Sequence, residues 1–213
     1  MDLVTMHFPI RRRDGVTHEA LVRHWRGVHM PAVVAHMTPR SYYVTIFDQR
    51  GGARPYDGMA SISYDDLAVA RREQITDMPA GVAGDGFGQL IRRSARLECT
   101  SHVIVDGPRP AGCHKVVGLV GLGHGHTRAE GWHCWLDEHA PIVAQGFEAN
   151  GGLRYVVSLA DRNEDEAAFL GVAELWFRDR AAAGAHLAGV PHDRFLDITV
   201  PTILHGAEVI GVA

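Results

Sequence analysis

The chain has 213 residues, 46% of them hydrophobic and 22% charged, with a formal net charge of -4, which describes a globular protein long enough to bury most of its apolar surface but short for two independent domains. Its arginine runs at 11–13 and 92–93 are short and lack interleaved aromatics, which argues against a nucleic-acid footprint, and no apolar run approaches the roughly 20 residues of a membrane span. The start MDLVTMHFPI is soon broken by Pro9 and RRR and does not read as a secretion signal, so a cytoplasmic protein is expected; Cys99, Cys113 and Cys134 show no CxxC spacing and suggest neither a disulfide framework nor a zinc knuckle.

In LVTMHF, Val4, Met6 and Phe8 alternate with Thr5 and His7, as in a strand with one apolar face. Thr17 then stands as an N-cap before a helix carrying HWRGVHMP at 24–31. Leu21, Trp25 and His29 are spaced four apart and share a face with Val28 and Ala32, so that face packs on a sheet. Pro31 lacks an N–H and crowds the carbonyl of Gly27, so the helix is expected to bend or break within a turn of His29 and to free backbone acceptors. Strands follow at SYYVTIF (41–47) and within YDGMASISYDD (56–66), Asp66 opens a second helical stretch, and SHVIVDG (101–107) closes the half. DGPRPAG (106–112), rich in Pro and Gly, is the joint.

The series then repeats. KVVGLVGL reads as a strand, Thr127 and Glu130 have capping-box spacing, and CWLDEHAP (134–141) sits in the helix. LRYVVSL (153–159), FLGVAELWFRD (169–179) and ILHGAEVIG (203–211) supply the remaining strands. Trp25, His29 and Pro31 reappear as Trp135, His139 and Pro141 at an offset of 110, which also relates Thr17 to Thr127. Gly58, Ala60, Tyr64 and Asp66 are echoed by Gly171, Ala173, Phe177 and Asp179. Each half therefore reads βαββαβ, the first at 1–106 and the second at 113–213, with 107–112 as linker. YYVTIF, HVIVDG and YVVSLA are apolar on both parities, so each sheet must bury a second face. The expected fold class is α+β, with the two sheets packed as a barrel inside one chain.

THEALVRHWRGVHMPAVVAHM followed by YYV resembles the EthD family of the dimeric α/β-barrel superfamily, whose signature is a helix with an aromatic, a His and a Pro leading into a strand with Tyr. TRAEGWHCWLDEHAPIVAQGF followed by RYVV resembles a second, more diverged copy. The resemblance covers nearly the whole chain and implies two ferredoxin-like halves forming a fused barrel, an intramolecular pseudo-dimer that is also compatible with a further homodimer. It implies a pocket beside the motif histidine. Reactions in the superfamily range over lyases, isomerases, monooxygenases and haem proteins, so it points to no single chemistry.

His29 and His139 are the leading catalytic candidates, because a partly desolvated histidine titrates near neutral pH and can move a proton. The alternative is that they satisfy freed carbonyls and stitch helix to sheet. His29 is preferred because its half also supplies His7, Tyr42 and Tyr43. Glu174 lies between Val172 and Trp176 on its strand face, where its pKa would rise unless it is hydrogen bonded, which suits an acid; an exposed Glu beside an edge Trp is the other reading. Tyr42, Tyr43 and Tyr155 follow the motifs and could orient a carbonyl, or serve structure alone. Trp25, Trp132 and Trp135 read as core that could also wall a pocket. The histidines of GHGHT (123–127), with His114 and His133, have no HExxH and no acidic cluster beside them, so no metal site is expected. GLVGLGHG is not in GxGxxG register.

These residues lead to an expected cofactor-independent enzyme, a lyase or isomerase acting on a small, largely apolar metabolite such as a polyketide, aromatic or lactone intermediate. Elimination, isomerisation and cyclisation are the reactions in view. The alternative is a haem-binding or non-catalytic ligand-binding barrel, since family relatives bind haem through a pocket histidine. Neither nucleic acid nor membrane is expected as a partner.

Overall fold

The computed structural model describes residues 4–49, 55–92, 95–163 and 169–212; Leu3 and Arg93 of the sequence readings lie outside these. Eight antiparallel strands close into one barrel: β1 (Val4–Ile10), β2 (Ser41–Phe47), β3 (Gly58–Tyr64), β4 (Leu97–Val105), β5 (His114–Leu122), β6 (Gly152–Asn163), β7 (Phe169–Phe177) and β8 (Thr199–Val212). Around the barrel the order is β1-β3-β2-β8-β5-β7-β6-β4. Each half contributes a contiguous set of four, and the halves meet along two ladders, β2 with β8 and β4 with β6. Both sheet edges that an isolated half would expose are thereby paired.

Helices lie on the outside. The first half has α1 (His18–His24), a π-helical turn Trp25–His29, α2 (Met30–His36), α3 (Leu67–Arg71), a second π turn Arg72–Thr76, α4 (Ala80–Ala83) and α5 (Phe87–Leu90). In the second half follow α6 (Arg128–His133), a π turn Cys134–His139, α7 (Ala140–Ala144), α8 (Arg180–Gly189) and α9 (Arg194–Ile198). None of the described helices is long and apolar enough to cross a membrane. Thr17 caps α1 by accepting from the Ala20 amide, Thr127 and Glu130 form a reciprocal capping box on α6, and Asp66 and Asp179 cap α3 and α8.

The proline does not break the helix. The chain widens by one residue instead, so that Met30 N–H donates to the Trp25 carbonyl and Ala140 N–H to the Trp135 carbonyl. This places Pro31 and Pro141 in the first turn of the next α segment, where a missing N–H leaves no acceptor wanting. The break expected at His29 is thus replaced by a π turn in each half.

Strand alternation divides the protein into two kinds of core. Met6, Tyr42, Val44, Ala60 and Ile62 face the helices of the first half, and Val116, Tyr155, Val157, Leu175 and Phe177 face those of the second. The opposite parity fills the barrel, where Phe47, Met59, Leu97, Val117, Leu119, Val172 and Leu204 form an apolar layer. Trp25 and Trp135 are fully buried under their helices, and each lies on a glycine. A Cβ at Gly58 would stand 2.8 Å from the Trp25 ring and 2.6 Å from the Thr45 carbonyl, and one at Gly171 would stand 3.1 Å from the Trp135 ring and 2.2 Å from the Ser158 carbonyl. The repeated glycine is the space the repeated indole occupies.

Candidate functional site

The widened turn aims each motif histidine away from the backbone. His29 Nδ1 lies 2.6 Å from Asp85 Oδ2, and its ring stacks on Phe87 at 4.1 Å and 12°. Phe87 also packs against Trp25 at 5.2 Å. Asp85 is itself fixed, because Oδ1 accepts from the Phe87 amide at 2.8 Å. The second half repeats this: His139 Nδ1 lies 2.7 Å from Asp193 Oδ2, its ring stacks on Phe195 at 4.4 Å, and Phe195 packs against Trp135 at 5.1 Å. Asp193 Oδ1 accepts from the Leu196 amide at 3.2 Å.

In each half the carboxylate fixes Nδ1 as the protonated nitrogen and leaves Nε2 as the basic one, with no protein hydrogen bond among the described residues. Burial pushes the His29 imidazole below its ordinary pKa against the pull of Asp85, so the ring is neutral and able to accept a proton near pH 7. Among the described residues, neither histidine bonds to a freed carbonyl.

Both dyads border cavities between helix and sheet. The first, about 250 Å³, is walled by Trp25, His29, Tyr42, Gln74, Asp85 and Phe87 together with aliphatic side chains. A second, about 310 Å³, is lined by Trp135, His139, Tyr155 and Phe195 and is otherwise aliphatic. Trp25, Tyr42, Trp135 and Tyr155 are therefore cavity walls as well as core. Trp132 is elsewhere: its indole donates to the Leu170 carbonyl at 3.1 Å and lies under the Arg128 guanidinium.

His7, Tyr43 and Glu174 gather at a third place, inside the barrel and apart from both cavities. Lys115 Nζ bridges Glu174 Oε1 at 2.8 Å and Glu208 Oε2 at 2.7 Å. Tyr43 donates to Glu174 Oε2 at 3.1 Å, Ser61 to Glu174 Oε1 at 3.3 Å, and Trp176 Nε1 to Glu208 Oε2 at 3.1 Å. The Lys115 ammonium sits 4.2 Å from the Tyr43 ring and 4.3 Å from Trp176, and Arg109 of the linker covers the same two rings. His7 Nδ1 lies 3.0 Å from Ser61 Oγ, and burial drives its pKa down to about 4.

Burial would raise the Glu174 pKa, but Lys115, His7 and Tyr43 outweigh it and hold the carboxyl below its ordinary value. Glu174 is thus an ionised partner of a buried lysine and holds no proton to donate at neutral pH. Tyr43 has its phenol pushed well above its ordinary pKa by burial and by Glu174 and Glu208. Lys115 lies on β5 and Glu208 on β8, Tyr43 on β2 and His7 on β1, so the cluster ties the two halves together through the barrel axis.

Sequence reading missed Asp85 and Asp193, although a signal was present: Asp85-Gly86-Phe87 and Asp193-Arg194-Phe195 repeat an Asp-x-Phe at an offset of 108. It also missed Lys115, Glu208 and Arg109. Lys115 was visible as a lone charge sharing strand parity with Val117 and Leu119. No group of three or more His, Cys, Asp or Glu side chains placed to hold a metal occurs among the described residues.

No family model and no curated protein matches the sequence. Solved structures do match its fold. An anthrone oxidase-like protein superposes with a TM-score of 0.64 at 12% identity, over 99% of this chain and 93% of that one. A variant of the chlorite dismutase of Candidatus Nitrospira defluvii gives 0.57 at 9% identity, over 98% and 91% of the two chains. A haem-binding protein from Thermus thermophilus gives 0.56 at 10%, over 99% and 92%. Identities this low speak to fold alone. Together with the closed eight-stranded barrel, they establish the chain as an α+β protein of the dimeric α/β-barrel architecture, with both ferredoxin-like halves carried in one polypeptide.

Proposed function

We propose that the chain is an EthD-like, cofactor-independent acid–base enzyme in which His29 shuttles a proton on a small, largely apolar organic molecule held in the first-half cavity. The observation that carries this reading is the His29–Asp85 pair at 2.6 Å, set in the wall of a mostly apolar cavity with the basic Nε2 free of partners among the described residues. Asp85 fixes the tautomer and stabilises the imidazolium once the proton arrives, while the stacked Phe87 holds the ring plane. Apolar burial drives much of the substrate binding here, in a cavity of about 250 Å³ that lies just below the usual range for ligand sites. Isomerisation needs no more than this proton transfer; in elimination the carbanion's electron pair expels a leaving group that takes up the proton, and in cyclisation it attacks an electrophilic carbon of the same molecule.

Structures of this architecture include a haem-binding protein, and a histidine with Nδ1 on a carboxylate resembles a metal ligand held by its outer shell. The acid–base reading is preferred because the His29–Asp85 pair bordering a mostly apolar cavity suffices for proton transfer without a cofactor.

Deuterium incorporation into enolisable cyclic ketones and lactones, followed by mass spectrometry in D2O, tests the proposal. The wild type should catalyse exchange, and His29→Gln should lower its rate roughly 100-fold or more at an unchanged melting temperature. Asp85→Asn should lower it as well. Full exchange by His29→Gln would refute the assignment.

A further inference from the structure

The first cavity contains polar atoms that the protein leaves unsatisfied. Trp25 Nε1 and the Tyr42 hydroxyl are both buried without a hydrogen-bond partner, and both side chains, fully shielded from solvent, line the cavity that His29 faces. The Tyr42 phenol stays protonated, since burial and the nearby Asp85 charge raise its pKa. The indole N–H is directed toward the phenol oxygen, but even when it is spent there the phenol proton has no acceptor. Buried donors in folded proteins are almost always matched, so an orphan pair facing a cavity marks where an outside acceptor belongs. In the second half, neither Trp135 Nε1 nor the Tyr155 hydroxyl is left both buried and unpaired.

We infer that Trp25 and Tyr42 form an oxygen-binding corner selecting substrates with a carbonyl group: enolisable ketones, or lactones of one or two rings, whose oxygen sits at Tyr42 while the neighbouring carbon faces His29. This rests on the acid–base reading for its chemistry but not for its binding selectivity. His29 Nε2 takes a proton from the carbon beside the carbonyl, the C–H electron pair becomes the new C=C bond, and the carbonyl π pair moves onto oxygen. The enolate oxygen receives the Tyr42 O–H hydrogen bond, which strengthens as its charge develops, while the Trp25 N–H supports the phenol oxygen from behind. Return of the proton from His29 to another carbon of the delocalised system completes an isomerisation, with no oxidant or reductant entering. Tyr42 and Trp25 are thus binding groups whose value grows along the reaction.

The pair 2-tetralone and tetralin tests this by calorimetry, because the two differ in the carbonyl alone. The wild type should bind the ketone roughly 10- to 100-fold more tightly than the hydrocarbon, the worth of matching a buried donor. Tyr42→Phe and Trp25→Phe should each shrink that ratio while tetralin affinity holds. His29→Gln should keep the ratio and lose deuterium incorporation at the carbons beside the carbonyl. Equal affinities in the wild type, an unchanged ratio in both wall variants, or no binding of either compound would overturn the inference. Ketone preference without wild-type exchange would instead overturn the acid–base reading and leave the oxygen-binding corner standing.

Discussion

Replacing Lys115 by Met removes one cation from between two carboxylates in the barrel interior. Lys115 is fully buried, Glu174 is 1% and Glu208 4% exposed at their side chains, and the nearest other cation to them, Arg109, is 3.9 Å from Glu208. Breaking a buried pair by deleting one member costs about 3–5 kcal/mol, because the partner charge stays behind without compensation. Besides charging His7, which Lys115 helps to hold neutral, the protein can protonate a carboxylate. At pH 7 that costs about 3 kcal/mol for an ordinary carboxyl, which sets the scale of the loss independently. Against a total stability of about 5–15 kcal/mol, Lys115→Met should leave a chain that folds poorly at pH 7 and recovers as the pH falls toward 5, where protonation is cheap. Denaturant unfolding followed by circular dichroism at the two pH values measures this. Lys115→Met combined with Glu174→Gln and Glu208→Gln should regain most of the loss, since no unpaired charge remains. A Lys115→Met protein within about 1 kcal/mol of wild type at pH 7 would refute the claim that this ion triad holds the halves together.

His7 gives a second pH signature. Its folded pKa is depressed to about 4 from 6.5, so the unfolded chain binds the proton more readily, and stability should be full above pH 6.5 and fall as pH drops toward 4, by on the order of 3 kcal/mol in all. His7→Phe should flatten that part of the stability profile, and an unchanged slope would contradict the assignment. Gly171→Ala should destabilise by about 1–3 kcal/mol in thermal unfolding, since its Cβ would press on the Ser158 carbonyl and the Trp135 ring. The isolated fragment 1–106 loses the partners of β2 and β4 and exposes its barrel-facing side chains, so size-exclusion chromatography should show aggregation or self-pairing. A soluble folded monomer of that fragment would count against the fused-barrel argument.

How much of this was legible in the sequence depended on whether the signal was periodic or pairwise. Strand alternation in LVTMHF and YYVTIF, the caps at Thr17 and Thr127, and the repeat of Trp, His, Pro and Gly are local patterns, and the barrel follows from them because apolar residues on both strand parities demand two buried faces. Site partners obey a different logic. His29 and Asp85 are 56 residues apart, and Tyr43 and Glu174 are 131 apart, so nothing in a local window announces either pair. Strand parity did separate His7 from Met6 and Glu174 from Leu175, but parity alone does not say which face of the sheet becomes the barrel interior. Once closure assigns that interior, the same alternation sends His7, Tyr43 and Glu174 inward to Lys115 and leaves Tyr42 beside Trp25 and His29. Adjacent tyrosines in one strand thereby serve opposite ends: Tyr43 hydrogen bonds within an ionic brace between the halves, while Tyr42, one residue earlier, lines the cavity that His29 borders.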